Sequence, residues 1–300
     1  MRCQIFSLVA VIGLMASHAA ASDVFVNNLT GDDHFDGRFA ASQGGASGPA
    51  RSLAKALRIA GPGDRIVVAN TGVAYHESVS LSGLRHSGLG FRPLVIDGNG
   101  ATLDGSAPAV GWEPVGGDLF RFRPERMAFG MLFLQGKPLA RVATGPAGQK
   151  PPPLAPLRWT LANGWIYFRV EPDRLPQQYA LSYANLQVGL TLYKVEQVAI
   201  TNFVVQGFEL DGINCQDSRQ VTLDHITARW NGRSGIAVCG ASRATLDACL
   251  AEGNGQSQLH IEGTSEVNAV GCELIPKSAP EWLIHGGRLS IDGREVGVRD

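Results

Sequence analysis

His260 and Glu262 lie in the run Gln258-Leu259-His260-Ile261-Glu262, where polar and apolar residues alternate. Alternation of period two marks a strand with one face in and one face out, so the imidazole and the carboxylate share the outer face. A base and an acid so placed can move a proton between a bound molecule and solvent. Two similar runs lie upstream, and the turns before them hold Asp211 and Arg233. On the first of these strands, Asn214 and Gln216 take the outward places that His260 and Glu262 take on theirs. Asp211, Arg233, His260 and Glu262 are therefore the candidate catalytic groups.

These residues recur because the chain repeats. Residues 195–217, 218–241, 242–264 and 265–287 are similar stretches, each with two or three short alternating runs separated by Gly, Asn, Ser or Asp. The apolar anchors Ile213, Ile236, Leu259 and Leu283 are spaced 23, 23 and 24. Two residues on, Cys215, Val238, Ile261 and His285 keep that spacing. Ile200, Leu223 and Leu246 form another series, 23 apart. A unit this short cannot bury an apolar face alone, so it must stack on its neighbours. Stacking puts equivalent residues about 4.8 Å apart and pairs like with like.

Period, anchors and the strands at Ile213, Ile236 and Leu259 together resemble the right-handed parallel β-helix proteins of the pectate-lyase-like superfamily. The resemblance implies an all-β solenoid of about six to eight coils and a polysaccharide as partner. It also implies a substrate groove on the outer face of the Ile213-type strands, with Asn214, Gln216 and the corner pair Trp230-Asn231 touching substrate. Leu210-Asp211-Gly212-Ile213 is similar to an element of the polygalacturonase-type hydrolases, with Asp211 at the acid position. An inverting hydrolase needs a second carboxyl to activate water. The next coil offers Arg233-Ser234-Gly235 and the following one Gln256-Ser257-Gln258, which departs from the hydrolase pattern. A lyase instead needs a base for the proton beside the uronate carboxyl and a cation on that carboxyl. His260, Arg233, Arg229 and Lys194 are the candidates. The alternatives are a non-catalytic surface or glycan-binding β-helix, or a shortened relative that lost its site.

Residues 22–105 resemble the opening of exported β-helix proteins: a first strand, an Asp/Gly-rich loop, a helix over 51–60, then a Pro-Gly-Asp turn into the first coil. Leu53, Ala56, Leu57 and Ala60 line one face of that helix, which can cover the open end of the stack. Residues 106–187 break the period. They hold Trp112, Trp159 and Trp165 and seven prolines from Pro146 to Pro176. Turn signals at Gly116-Gly117, Gln135-Gly136 and Asn163-Gly164 predict antiparallel hairpins, hence an inserted β-subdomain. Coils resume over 188–300, ending in one last strand pair.

Residues 1–21 read as a signal peptide: a basic start, an apolar run over 5–15, and an Ala-rich end with cleavage expected near Ala21 or Ser22. The run is shorter than the roughly 20 residues a membrane span needs. Export to the periplasm, the cell surface or the medium is expected, with no membrane partner. A net charge of -1 and 44% hydrophobic residues argue against nucleic acid as a partner and against disorder. Glycine, 37 of 300 residues, fits a chain of many tight corners. No cofactor is expected except that Asp32, Asp33 and Asp36 could hold Ca²⁺ through hard oxygen ligands. Cys249 and Cys272 are one coil apart, within disulfide reach if stacked. Cys215 and Cys239 differ in parity and should face opposite sides. Asp224 and Asp247 should stack, and like charges so placed must face water or share a cation.

Overall fold

The computed structural model describes residues 21–90, 92–126, 129–144 and 150–297. Apart from Ala21, the expected export segment lies outside them. Among the described residues no helix is long and apolar enough to cross a membrane.

The alternating runs do become stacked strands, and the coils form a right-handed parallel β-helix. One long sheet runs Asp23–Val26, Arg65–Val68, Leu94–Asp104, Glu196–Gln206, Arg219–Asp224, Arg243–Asp247, Glu266–Val270 and Arg288–Ile291, all parallel. A second sheet stacks Val79–Ser82, Leu190–Tyr193, Ile213–Gln216, Ser234–Cys239, Ser257–Glu262 and Trp282–His285, again parallel. A short third ladder, Thr227–Arg229, Leu250–Glu252 and Glu273–Ile275, continues from the end of Glu196–Gln206. The inward residues form one core, in which Leu190, Ile213, Ile236 and Leu259 are fully buried on one wall and Ile96, Ile200, Leu223 and Leu246 on another. The last strand, Arg294–Val296, folds back antiparallel on Arg288–Ile291, which is the expected closing pair.

The fourth anchor differs from the sequence reading. Leu259 pairs with Trp282, not Leu283, and Ile261 pairs with Ile284, not His285. The 23-residue period therefore holds along this sheet from Leu190 to Trp282. A one-residue slip exchanges the faces of a strand, so Trp282 and Ile284 turn inward while Leu283 and His285 turn outward. Choosing Leu283 as the anchor followed the aliphatic type of the earlier anchors, whereas the indole fills the same slot at this end of the stack.

The helix is Leu53–Ile59, shorter than 51–60. Ser52 caps it, accepting from Lys55 N at 3.1 Å, and Glu77 accepts from the backbone N–H groups of Leu53 and Ala54. Leu53, Ala56 and Leu57 point into the core.

Between Leu94–Asp104 and Leu190–Tyr193 the chain leaves the solenoid and builds two four-stranded sheets. One orders Trp159–Ala162, Trp165–Arg169, Leu119–Phe122 and Glu113–Gly116; the other orders Ser106–Pro108, Leu181–Ala184, Leu132–Leu134 and Lys137–Pro138. All pairings are antiparallel. Phe122, Trp159, Ile166 and Phe168 form a core separate from that of the coils.

Polar ladders lock the coil corners. Asn254 Oδ1 accepts from the Asn231 backbone N–H at 3.0 Å and from its side-chain amide at 3.1 Å, and Gln258 Oε1 accepts from Asn254 Nδ2 at 2.8 Å. Ser218, Ser242 and Ser265 form a second buried series. Glycine is required where corners touch. A Cβ on Gly255 would lie 2.0 Å from the carbonyl oxygen of Gly232. Gly255→Ala is expected to lower stability by about 1–3 kcal/mol, the usual cost of overpacking. Urea unfolding checks this: an unchanged midpoint would show that the corner can spread.

Candidate active site on the second sheet

The outer face of the second sheet carries two parallel rows. The register places Thr191, Asn214, Ala237, His260 and Leu283 in one row, and Tyr193, Gln216, Cys239, Glu262 and His285 in the other. The turns before these strands add Asp211 and Arg233.

Asp211 is fully buried. Arg233 grips it with both arms of its fork: Nε donates to Oδ1 at 2.9 Å and Nη2 donates to Oδ2. Asn214 Nδ2 donates to the same carboxylate at 3.0 Å. Two of the five guanidinium N–H groups face Asp211 in this bidentate pair, and the rest of the fork is available. The bond to Asp211 is the main reason the Arg233 pKa stands above its usual value.

His260 is 8% exposed. Its Nδ1 is buried without a hydrogen-bond partner, and its Nε2 lies 3.3 Å from Nδ1 of His285 on the next coil. The two rings meet edge to face with centroids 5.2 Å apart. Burial lowers the His260 pKa below the usual imidazole value, and the charges of Arg233 and His285 push the same way. Burial therefore favours the neutral imidazole, whose Nε2 is engaged with His285. Glu262 is exposed at the rim beside Cys239, whose thiol is pushed up to about 11, chiefly by burial.

The sign of the stability effect follows. The unfolded chain binds a proton at His260 near the ordinary value of 6.5, while the folded chain resists it. Stability is fully present above that value and is lost as pH falls from it toward the lower folded pKa. His260→Gln is expected to flatten this part of the stability–pH curve. Denaturant unfolding at several pH values below 6.5 checks it, and an unchanged slope would remove His260 as its source.

The structure thus brings together Asp211, Arg233, Asn214, His260 and Glu262, and adds His285. The anchor slip hid His285; keeping a strict 23-residue period would have put it on the outer face, level with Glu262. Gln216 is half-buried on the outer row, between Tyr193 and Cys239. Asn231 does not join the site. It is fully buried in the asparagine ladder, its amide spent on Phe208, Val205 and Asn254. Trp230 is half-buried at the corner, with its Cδ1 lying against the Cβ position of Gly253 and the Arg229 guanidinium 4.2 Å from its ring centroid.

The acidic loop near the N-terminus is structural. Asp32 bonds His34, Asp33 holds Ser52 and the backbone at Arg51, and Asp36 holds Arg38, Ser47 and Gly48. Among the described residues no three His, Cys, Asp or Glu side chains form a group that could hold a metal ion. Asp224 and Asp247 do stack, and Asp224 takes a hydrogen bond with His225 at 2.6 Å. The disulfide expectation is corrected too. Cys249 and Cys272 are free thiols on successive coils. Their sulfurs donate to the carbonyls of Leu223 and Leu246, and these backbone bonds hold them as a stacked pair. Interaction between the two neighbouring thiols raises the Cys249 pKa and lowers that of Cys272. Cys215 faces inward and Cys239 outward, so those two do oppose each other.

Residues 183–278 match the family model described as a right handed beta helix region. No curated protein matches the chain. Two solved structures are similar to it. One is a double mutant of the periplasmic alginate epimerase AlgG, at 20% identity and a TM-score of 0.31; the match covers 36% of this chain and 28% of the epimerase chain. The other is XylC in complex with xylose, at 12% identity and a TM-score of 0.44, covering 90% of this chain and 69% of that one. The matched stretch of the epimerase is thus under a third of its length.

Proposed function

We propose that this chain is an exported, polysaccharide-directed enzyme that cleaves a uronate-bearing glycan by proton abstraction and elimination. Its parts would be a leader (1–21), a cap with the first coils (22–105), a β-insert (106–187) and the remaining coils (188–300). It would act outside the cytoplasm: secreted, periplasmic or on the cell surface.

The observation that carries this reading is the pairing of a buried, neutral His260 with the cationic fork of Arg233. The proton beside a uronate carboxylate leaves only if the growing negative charge is stabilised. The free N–H groups of Arg233 can bond the carboxylate oxygens while His260 Nε2, once substrate displaces its contact with His285 Nδ1, takes the C5 proton. The C5–H electron pair forms the C4–C5 double bond, the C4–O bond breaks, and the leaving oxygen takes a proton from the rim, where His285 and Glu262 stand. His285 is also placed to relay the abstracted proton from His260 to solvent. Asp211 acts through Arg233 as a positioning residue. Its burial and its bidentate partner leave it unsuited to protonate a leaving group, which disfavours the hydrolase alternative.

A second reading, a non-catalytic glycan-binding β-helix, is favoured by the same ion pair. Asp211 already neutralises Arg233, and this weakens the guanidinium as an electrophile. Incubation with acidic and neutral polysaccharides separates the two. Unsaturated products seen by ultraviolet absorbance support the lyase; binding without turnover supports the module. New reducing ends without unsaturation would support a hydrolase and sink the elimination chemistry.

A further inference from the structure

The β-insert does not merely interrupt the coils. Its segments 129–131 and 138–144 face the coil corners at Trp230, Gly232 and 253–256, and between them lies a cleft of about 670 Å³. Phe129, Leu139 and Arg141 line it from the insert; Trp230, Gln256 and Ser278 line it from the coils. Gly232, beside Arg233, lies on the same wall, so the cleft opens at the Arg233 end of the site.

The charge of this cleft is one-sided. Among the described residues that line it none is Asp or Glu, and Arg141 is the one cationic side chain. Arg141 has no carboxylate partner among the described residues. Its Nη1 donates to the Phe129 carbonyl at 2.8 Å, and its guanidinium lies 5.4 Å from the Trp159 ring centroid. These contacts hold the guanidinium in place without neutralising it. The residue as a whole is exposed, yet the walls partly desolvate its head and lower its pKa from the usual guanidinium value. Glu209 is buried behind the wall, where it accepts the Phe129 N–H. A fixed, partly desolvated cation without a counter-ion favours an anion from solution, and a carboxylate matches the guanidinium fork. Trp230, one face of which packs on the Arg229 guanidinium, adds an aromatic wall for a sugar ring. The volume is within the range of small-molecule pockets, about 300–1,000 Å³.

We infer that the cleft between the insert and the coils is a subsite for a carboxylated sugar of the substrate chain, with Arg141 binding the carboxylate and Trp230 supporting the ring. This deepens the uronate reading above and rests on it. The insert then sets substrate length and charge, while the second sheet does the chemistry.

Calorimetry with uronate tetramers (galacturonate, mannuronate, guluronate and glucuronate-containing) and a neutral galactose tetramer tests the subsite. The wild type is expected to bind at least one uronate tetramer, and the neutral one much more weakly. Arg141→Met should weaken uronate binding roughly tenfold to hundredfold, the scale of one charged hydrogen-bonded contact, and Arg141→Lys should retain part of it. Trp230→Ala should weaken binding of both kinds. Arg141→Met also loses the bond to Phe129, so Gln256→Glu is the independent variant. It places a carboxylate on the exposed coil side of the cleft and should repel uronates alone. Failure of every uronate tetramer to bind, or Arg141→Met and Gln256→Glu binding like wild type, would overturn the subsite. Binding that depends on Arg141 without turnover would leave the subsite standing and remove the lyase. Turnover with KM indifferent to both variants would do the reverse.

Discussion

His260→Ala is expected to lower turnover of a uronate polysaccharide by about 10²–10⁴-fold, the range spanned by one general base. Binding of a uronate tetramer should change little, because the cations that attract it, Arg233 and Arg141, are untouched. The pH profile gives a second signature. The base form of His260 persists below the ordinary imidazole value because burial lowers its pKa. The acid limb of kcat/KM should therefore fall below about 6.5, the unperturbed value. His285→Ala removes the ring 3.3 Å from Nε2. It should cost less than His260→Ala, since an exposed relay can be replaced by water, and it should shift the acid limb upward by removing a charge that disfavours imidazolium. Absorbance of unsaturated ends across pH reads both effects. Equal rates in wild type and His260→Ala would place the base elsewhere.

The solenoid was legible because its energetics are periodic. Every coil buries the same slots, so Ile213, Ile236 and Leu259 had to be apolar, and the 23-residue spacing showed through. The hairpins of the insert were legible at Asn163-Gly164 and Gln135-Gly136 because those turns place Asn163 and Gln135 at positive φ, next to a glycine. The final coil was misread by one residue because an indole replaced an aliphatic anchor, and that slip hid the side chain that hydrogen-bonds His260. The opposite error befell Asn231. Its type suggested a polar surface, yet it repeats at Asn254, and a polar residue repeated on this period is as readily a buried ladder as a groove. Arg141 left no sequence signal. It lies in the insert beyond Lys137–Pro138, outside any named strand, and only the cleft that the insert shares with the coil corners gives it a role. What the 23-residue repeat encodes is the scaffold; the candidate site residues Asp211, Arg233 and His260 stand where the repeat is broken.

Arg233→Ala is expected to lower the stability of the fold by about 3–5 kcal/mol, the cost of leaving a buried charge without its partner. Asp211 is fully buried and would keep only the Asn214 amide among its side-chain partners. Asp211→Ala should cost less, because the Arg233 side chain is 26% exposed and water can solvate the released fork. The double variant should be more stable than Arg233→Ala alone, since no orphaned carboxylate remains in the corner. This asymmetry distinguishes a buried pair from a surface one, where both single variants would change stability by about 1 kcal/mol or less. Urea unfolding of the four proteins gives the coupling directly. If Arg233→Ala and Asp211→Ala cost the same small amount, the pair is open to solvent and Asp211 is free to act as an acid, which would return the hydrolase chemistry to consideration. If the predicted order holds, Asp211 is fixed as the group that aims Arg233, and an enzyme carrying Asp211→Asn should stay folded while losing more in KM for uronates than in kcat, because the neutral amide still bonds the fork but no longer sets its direction as firmly.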